Sequence, residues 1–63
     1  MIFNLTIQDE TVIVAAHMEG VGGITGDYSQ TTHPGEDFAG IPYDLLRIHA
    51  ETAGWIEINE GTT

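Results

Sequence analysis

Acid–base or metal-binding chemistry in this 63-residue chain would fall to its three histidines and ten acidic residues, because it has no cysteine. The histidines are His17, His33 and His49. No pair of them has the His-Glu-x-x-His spacing that puts two imidazoles on one helix face. Asp27, Glu36 and Asp37 could supply oxygen ligands, but the calcium-loop pattern is absent around them. We therefore expect no metal and no cofactor, while a metal or ligand site formed by these three residues stays open as a third hypothesis.

Motifs for nucleophilic catalysis or phosphate binding are also missing. Ser29 does not lie in a Gly-x-Ser-x-Gly turn. The run from Gly20 to Gly23 would need a further glycine at the position of Thr25 to complete a dinucleotide fingerprint, and there is no lysine for a phosphate-binding loop. A chain this short can hardly build the cleft of a two-carboxylate glycosidase. We predict no catalytic residues and no enzymatic activity.

Charge is the strongest signal that remains. Ten acidic residues against Arg47 give a formal net charge of −9. This excludes proteins that bind nucleic acid or anionic membranes directly, since both need clustered cations. The acids are spread along the whole chain and should cover most of the surface. We also expect such crowding to raise carboxyl pKa values, because like charges disfavour ionisation.

The N-terminal third reads as a β-hairpin. Met1–Gln8 alternates between apolar and polar residues, as a half-buried strand does. Asp9–Glu10 is compatible with a turn. Thr11–Glu19 follows as a second strand that is partly apolar on both faces, which indicates a central strand covered on each side.

The next segment, 20–40, holds six of the eight glycines and reads as a long loop. Within it, Val21 and Ile24 could form a short bridging strand. Pro42–Ala53 reads as a helix, with Pro42 at its first position and Gly54 just past its end.

Helical periodicity predicts one face that is buried and an opposite face that is charged. The predicted buried face consists of Leu45, Leu46, His49, Ala50 and Ala53. On the opposite face, Asp44 and Glu51 are spaced to pair with Arg47.

Trp55–Glu60 alternates again and predicts a last strand, while 61–63 should fray. The whole chain, 1–63, reads as a single domain of the α+β class. Its expected order is β-β-long loop-α-β, a three-stranded, mostly antiparallel sheet with one helix packed on it.

The single-sign charge predicts a protein partner with a basic surface, such as a host nucleic-acid-binding complex, without direct contact to nucleic acid or membrane. Carboxylates presented where phosphates would lie could occupy such a surface. Aromatic residues near them could anchor the contact. The candidate partner-binding residues are Asp27, Tyr28, Glu36, Asp37, Tyr43, Asp44, Glu51 and Glu57.

In size, acidity, lack of cysteine and element order, the chain resembles the small phage-encoded inhibitors of bacterial defence, of the anti-CRISPR and anti-restriction type. The resemblance rests on the ten acids, on Arg47 as the single cation and on the β-β-α-β order. It implies a non-enzymatic inhibitor, a nucleic-acid mimic in the host cytoplasm. It carries over no functional residue, because no motif is shared.

A second reading stays open. The chain could be a generic protein–protein interaction module, such as a phage accessory subunit or an antitoxin-like partner. Loop and aromatic residues such as Val21, Ile24 and Tyr28 would then carry the affinity, and the charge would only keep the protein dissolved. Pairing with a second copy is a further way for so small a domain to gain stability.

Overall fold

The computed structural model describes residues 1–21 and 23–58 and has six strands and one helix. The elements are β1 (Ile2–Gln8), β2 (Thr11–Val21), β3 (Ile24–Thr32), β4 (Asp37–Phe38), β5 (Ile41–Pro42), α1 (Tyr43–Thr52) and β6 (Trp55–Glu57). Four strands form one antiparallel sheet in the order β3-β2-β1-β6, and β4 pairs with β5 in a separate ribbon. The α+β class is confirmed, with four strands in the sheet rather than three.

The core lies between one face of this sheet and α1. β1 and β2 are joined by Asp9–Glu10, and their register runs from Gln8 opposite Thr11 to Asn4 opposite Ala15. Strand alternation puts every second residue on the face that meets the helix. The buried apolar residues are Phe3, Leu5, Val12, Val14, Ala16, Phe38, Tyr43, Leu46 and Ile56.

The segment predicted as a long loop, 20–40, is mostly ordered β-structure, so that prediction was wrong. β3 pairs with β2 from Val12 opposite Thr32 to Glu19 opposite Thr25. The register shifts beyond Glu19, and Val21 then pairs with Ile24. The sequence pattern did not predict β3, because this outer strand is exposed along most of its length and its residues do not alternate between apolar and polar.

Two tight turns follow β3. In His33–Glu36, the Glu36 N–H donates to the His33 carbonyl at 3.0 Å, and Gly35 has φ +89° after Pro34, the signature of a type II turn. Between β4 and β5, Ala39 and Gly40 both have positive φ, as in a type I′ hairpin. These turns fold the chain back towards the helix.

The helix begins one residue later and ends one residue earlier than Pro42–Ala53. Pro42 is the N-cap in an extended conformation, φ −66° and ψ 154°, rather than the first helical residue. Gly54 lies just past the end, as predicted, with φ +79° and its N–H donating to the His49 carbonyl at 3.0 Å. No helix in the described ranges is long and apolar enough to cross a membrane.

The buried face of the helix differs from the predicted one. Tyr43 and Leu46 are buried, with His49 and Ala50 half-buried beside them. Leu45 and Ala53 were predicted to be buried but are exposed. The helix meets the sheet along a strip that includes Tyr43, and this rotates Leu45 towards solvent.

The second strand is central in the sheet, but only one of its faces is covered. Ile13 and Ala15 are half-buried on the opposite face, and His17 is exposed there. In the described part of the chain no element packs over that face. We call it the open face.

The last strand is shorter than predicted. β6 pairs with β1 from Ile2 opposite Glu57 to Asn4 opposite Trp55. The pairing is extended by Ile58, whose N–H donates to the Met1 carbonyl at 2.8 Å. Residues 59–60 of the predicted strand and the predicted frayed tail, 61–63, lie outside the described residues.

We predict that Ala39→Asn stabilises the protein. Ala39 has φ +53°, in the left-handed region that costs most side chains about 1 kcal/mol, and asparagine followed by glycine is favoured in a type I′ turn. The free energy of unfolding, measured by urea denaturation, should rise by about 0.5–1 kcal/mol. Ala39→Val, which is β-branched, should lower it. If the valine variant were the more stable, the assigned turn would be wrong.

We also predict that Thr32→Val is stabilising. Thr32 is fully buried, and its hydroxyl has no hydrogen-bond partner among the described residues. An unsatisfied buried polar group costs about 1–3 kcal/mol, and valine has nearly the same shape. The variant should gain about 1 kcal/mol in urea denaturation. In the control Thr31→Val, at the exposed neighbouring residue, the free energy of unfolding should stay within about 0.5 kcal/mol of the parent value. If Thr32→Val lowered the free energy of unfolding by more than this amount, the prediction would be contradicted.

Candidate functional site: an acidic pole around Tyr43

Tyr43 joins three parts of the chain at one end of the molecule. Its hydroxyl donates to the carbonyl of Glu10, in the β1–β2 turn, at 2.9 Å. Its backbone N–H donates to the Glu36 carbonyl at 2.9 Å, in the turn before β4. Arg47, one helical turn further on, donates from Nη1 to the Tyr43 hydroxyl at 3.1 Å. The side chain itself is buried.

These contacts gather five acidic residues at the same end. Each of them either accepts a hydrogen bond from Tyr43 through its backbone carbonyl or is next in sequence to Tyr43 or to one of those acceptors. All five are exposed. We call this group the acidic pole; its members are Asp9, Glu10, Glu36, Asp37 and Asp44. A shallow pocket lined by Gly35, Glu36, Pro42, Tyr43 and Asp44 lies within it.

Glu36 is held in place by the turn that it closes. Its carboxylate accepts from the His33 N–H at 2.7 Å and lies 3.1 Å from His33 Nδ1. The backbone hydrogen bond, more than the contact with the ring, lowers the pKa of Glu36 below its ordinary value. This direction is opposite to the rise expected from carboxylate crowding, because a donor aimed at the charged form stabilises it.

Asp37 is also fixed locally, since its Oδ2 accepts from the Gly40 N–H at 3.2 Å. Glu10 contributes only its backbone carbonyl to the contact with Tyr43, and its carboxylate is exposed. Asp44 lies in the first turn of α1, where the helix dipole favours a negative charge. All the carboxylates of the pole are thus exposed, and two of them, on Glu36 and Asp37, are also held by hydrogen bonds from backbone N–H groups.

The chain's one arginine is directed along its own helix. Arg47 Nε lies 3.6 Å from Glu51 Oε2, as predicted, but the other partner is the Tyr43 hydroxyl rather than Asp44. The hydrogen bond to Tyr43, followed by the smaller effect of Glu51, raises the pKa of Arg47. Asp44 is thus left without the partner that the sequence suggested for it.

The eight predicted partner-binding residues fall into separate regions. Glu36, Asp37, Tyr43 and Asp44 meet at the acidic pole, where Tyr43 is buried as a scaffold. Glu51 lies one helical turn beyond Arg47, with which it pairs, and so two turns beyond Tyr43.

The remaining predicted residues lie on the sheet. Asp27 is on β3, where its carboxylate is 2.8 Å from His17 Nδ1 on the open face. Glu57 is on β6, at the opposite edge. Three strand spacings, roughly 14 Å, separate these two edge strands. Tyr28 is half-buried, and its ring packs 6.1 Å from both Phe3 and Phe38.

Sequence reasoning left Asp9 and Glu10 out of the site. They join the pole through the Tyr43–Glu10 hydrogen bond, which spans 33 residues of sequence. The turn position of Asp9–Glu10 was readable, but nothing in the local pattern indicated which end of the helix would lie beside it.

The fold does not assemble a metal site from the acids considered above. Within 1–21 and 23–58, no group of three or more histidine, aspartate or glutamate side chains could hold a metal ion. Asp27 lies within β3 and interacts with His17, whereas Glu36 and Asp37 are in and after the turn that follows this strand.

Comparison with protein-family models, with curated proteins and with solved structures finds no match to this chain. The charges, contacts and exposures described above therefore carry the functional inference.

We predict that Glu36→Gln lowers the melting temperature at neutral pH and that this difference disappears in acid. A carboxyl whose pKa is lowered by folding adds stability above its unfolded pKa and loses it as pH falls through the folded value. Thermal melts of parent and variant from pH 7 to pH 3 should converge towards the acid end. A constant difference across this range would contradict a role for the Glu36 charge.

Proposed function

We propose that this protein is a non-enzymatic acidic inhibitor that binds a basic, nucleic-acid-binding surface of a host protein complex. The observation that carries the proposal is the acidic pole. Five exposed acidic residues lie in the segments that the buried Tyr43 joins, and the chain's one arginine is engaged by Tyr43 and Glu51. In the proposed setting the complex forms in the cytoplasm of a bacterial host.

The charge distribution supports a role in recognition. All nine acidic residues in the described ranges are exposed, and the formal net charge is −9. A field of nearly one sign accelerates encounter with a basic surface and disfavours acidic partners. Carboxylates are also good acceptors for the arginine and lysine donors that normally bind phosphates.

The rigidity of the pole adds to this argument. Three chain segments are tied to Tyr43, and the Glu36 and Asp37 carboxylates are hydrogen-bonded to nearby backbone N–H groups. Groups that are ordered before binding lose less conformational entropy when the complex forms. An ordered array of acceptors can therefore compete with a flexible nucleic acid for the same surface.

A second function, a generic protein–protein interaction module, is favoured by exposed apolar residues away from the pole. Ile2 and Trp55 are 56% and 46% exposed, respectively, on neighbouring strands, and Ile24 near the β2–β3 turn is 60% exposed. Binding through these residues would depend little on ionic strength. Tyr28, which the sequence offers as an aromatic anchor for this function, is half-buried in the cluster with Phe3 and Phe38.

The test is to immobilise the chain and pass nuclease-treated bacterial lysate over it at 50 mM NaCl. We expect retained proteins to elute as NaCl rises and to be displaced by a 20-base-pair DNA duplex, because both compete for the basic surface. Binding of a purified retained protein should weaken by about tenfold for the double variant Glu10→Gln/Asp44→Asn.

The matched control is the double variant Glu19→Gln/Glu57→Gln, which removes the same charge from exposed strand positions. Both variants should keep the parent's circular dichroism spectrum and melting cooperativity. Equal weakening by both pairs would show that total charge matters and the pole does not. Retention that is indifferent to salt and to DNA would favour the apolar interaction module instead.

A further inference from the structure

β3 is an edge strand with an open outer side. It spans nine residues and occupies the end position of the four-stranded sheet. Among residues 1–21 and 23–58 no other strand pairs with that outer side. Natural edge strands are usually blocked by short length, by charged side chains, above all lysine, by proline or by a bulge within the strand. β3 is nine residues long and has no lysine or proline, its one charged residue is Asp27, and the one irregularity of its pairing lies at the β2–β3 turn.

Parity along the sheet identifies the backbone groups on that side. The two-residue turn makes Gln8 and Thr11 a hydrogen-bonded pair, and such pairs alternate along antiparallel strands. The Leu5 N–H group confirms this alternation. It points away from β2 and donates to the Gly54 carbonyl at 2.9 Å. Even-numbered residues 12–18 of β2 therefore bond to β3. The β3 residues whose N–H and C=O groups point outward are Thr25, Asp27, Ser29 and Thr31.

We propose that the outer edge of β3 receives an extended, basic segment of the partner protein as a fifth strand of the sheet. This inference rests on the proposed function, which supplies a partner of positive charge. Main-chain hydrogen bonds to an exposed strand edge give affinity, and alternate side chains give specificity.

The negative charge of the chain favours a basic segment over a second copy of the chain at this edge. A second copy of the chain would bring a net charge of −9 against −9, and Asp27 is the charged residue of β3. Glu19 lies across from Thr25 on the adjacent strand. A lysine or arginine beside Asp27 would form a favourable cross-strand pair on the open face, where an acidic residue would be repelled.

The other face of β3 suits small apolar residues. There Tyr28 is half-buried, and Gly26 leaves space, since a Cβ at that position would meet nothing within 4 Å. An added strand could therefore pack an apolar side chain beside the Tyr28 ring. The complementary segment alternates basic residues, on the open face, with apolar residues on the side of the core.

The experiment uses the whole ¹⁵N-labelled chain and the peptide acetyl-(Lys-Val)₄-amide at low salt. We expect the amides of residues 25, 27, 29 and 31 to shift and to exchange with solvent at least tenfold more slowly. The amides of Gly26, Tyr28 and Gln30, already bonded to β2, should gain little. Acetyl-(Glu-Val)₄-amide should not bind.

Backbone blocking supplies matched controls. Ser29→Pro removes one outward N–H and should weaken peptide binding at least tenfold, whereas Ser29→Ala keeps that N–H and should bind as the parent does. A second control changes the peptide instead of the protein, so that no folding defect can arise, and uses N-methylated forms of the lysine–valine peptide that keep its charge. In an antiparallel fifth strand, the lysines that lie opposite the outward β3 residues direct their own N–H groups at β3, so N-methylation of the lysines should abolish binding. N-methylation of the valines should leave it intact.

Three results would overturn the proposal in distinguishable ways. If both N-methylated peptides bind equally and shift only the acidic pole, the edge is not used, but the proposed function stands. If the glutamate peptide binds β3 as well as the lysine peptide, the edge is real and the basic partner is refuted, which also removes support from the proposed function. If sedimentation shows a dimer with the outward β3 amides already protected, a second copy occupies the edge.

Discussion

The hydrogen bond from the buried Tyr43 hydroxyl to the Glu10 carbonyl fixes the relation between helix and sheet. It ties the first turn of α1 to the β1–β2 turn, and the Tyr43 N–H ties the same residue to the turn before β4. The rotation of the helix follows from this anchor, because Tyr43 and Leu46 then face the core and Leu45 faces solvent. The composition of the acidic pole depends on it as well.

A single helix cannot cover a four-stranded sheet on both faces. α1 packs over β1, β2 and β6, while β3 is reached mainly by the Phe3–Tyr28–Phe38 aromatic cluster. One face of the sheet and the outer edge of β3 therefore remain accessible among the described residues. In a domain of this size the core provides little surplus stability. Surface carboxylates add repulsion to that balance, which contact with a basic partner would relieve.

The two proposed contact regions, the acidic pole and the outer edge of β3, would bind a partner through forces of different range. The acidic pole acts through charge, which guides encounter and is screened by salt. The β3 edge acts through directional main-chain hydrogen bonds, which require a particular backbone conformation of the partner. Asp27 connects the two, because it is an exposed carboxylate on the edge strand itself. A partner would need both a basic surface and an extended segment to engage the whole molecule.

Sequence alone determined the β1–β2 hairpin, the helix with its glycine stop at Gly54 and the near-single sign of the charge. The hairpin and the helix follow from periodicity and turn chemistry, which depend on residues close together along the chain. The charge follows from the residue counts alone. The tertiary structure decided that 24–32 is a strand, that Tyr43 is buried, and that Asp9 and Glu10 join the pole. β3 shows no apolar alternation because Tyr28 is the one large apolar side chain that it packs against the core, so pairing with β2 defines the strand. Likewise, a contact across 33 residues of sequence depends on how the helix packs, and no local pattern records that.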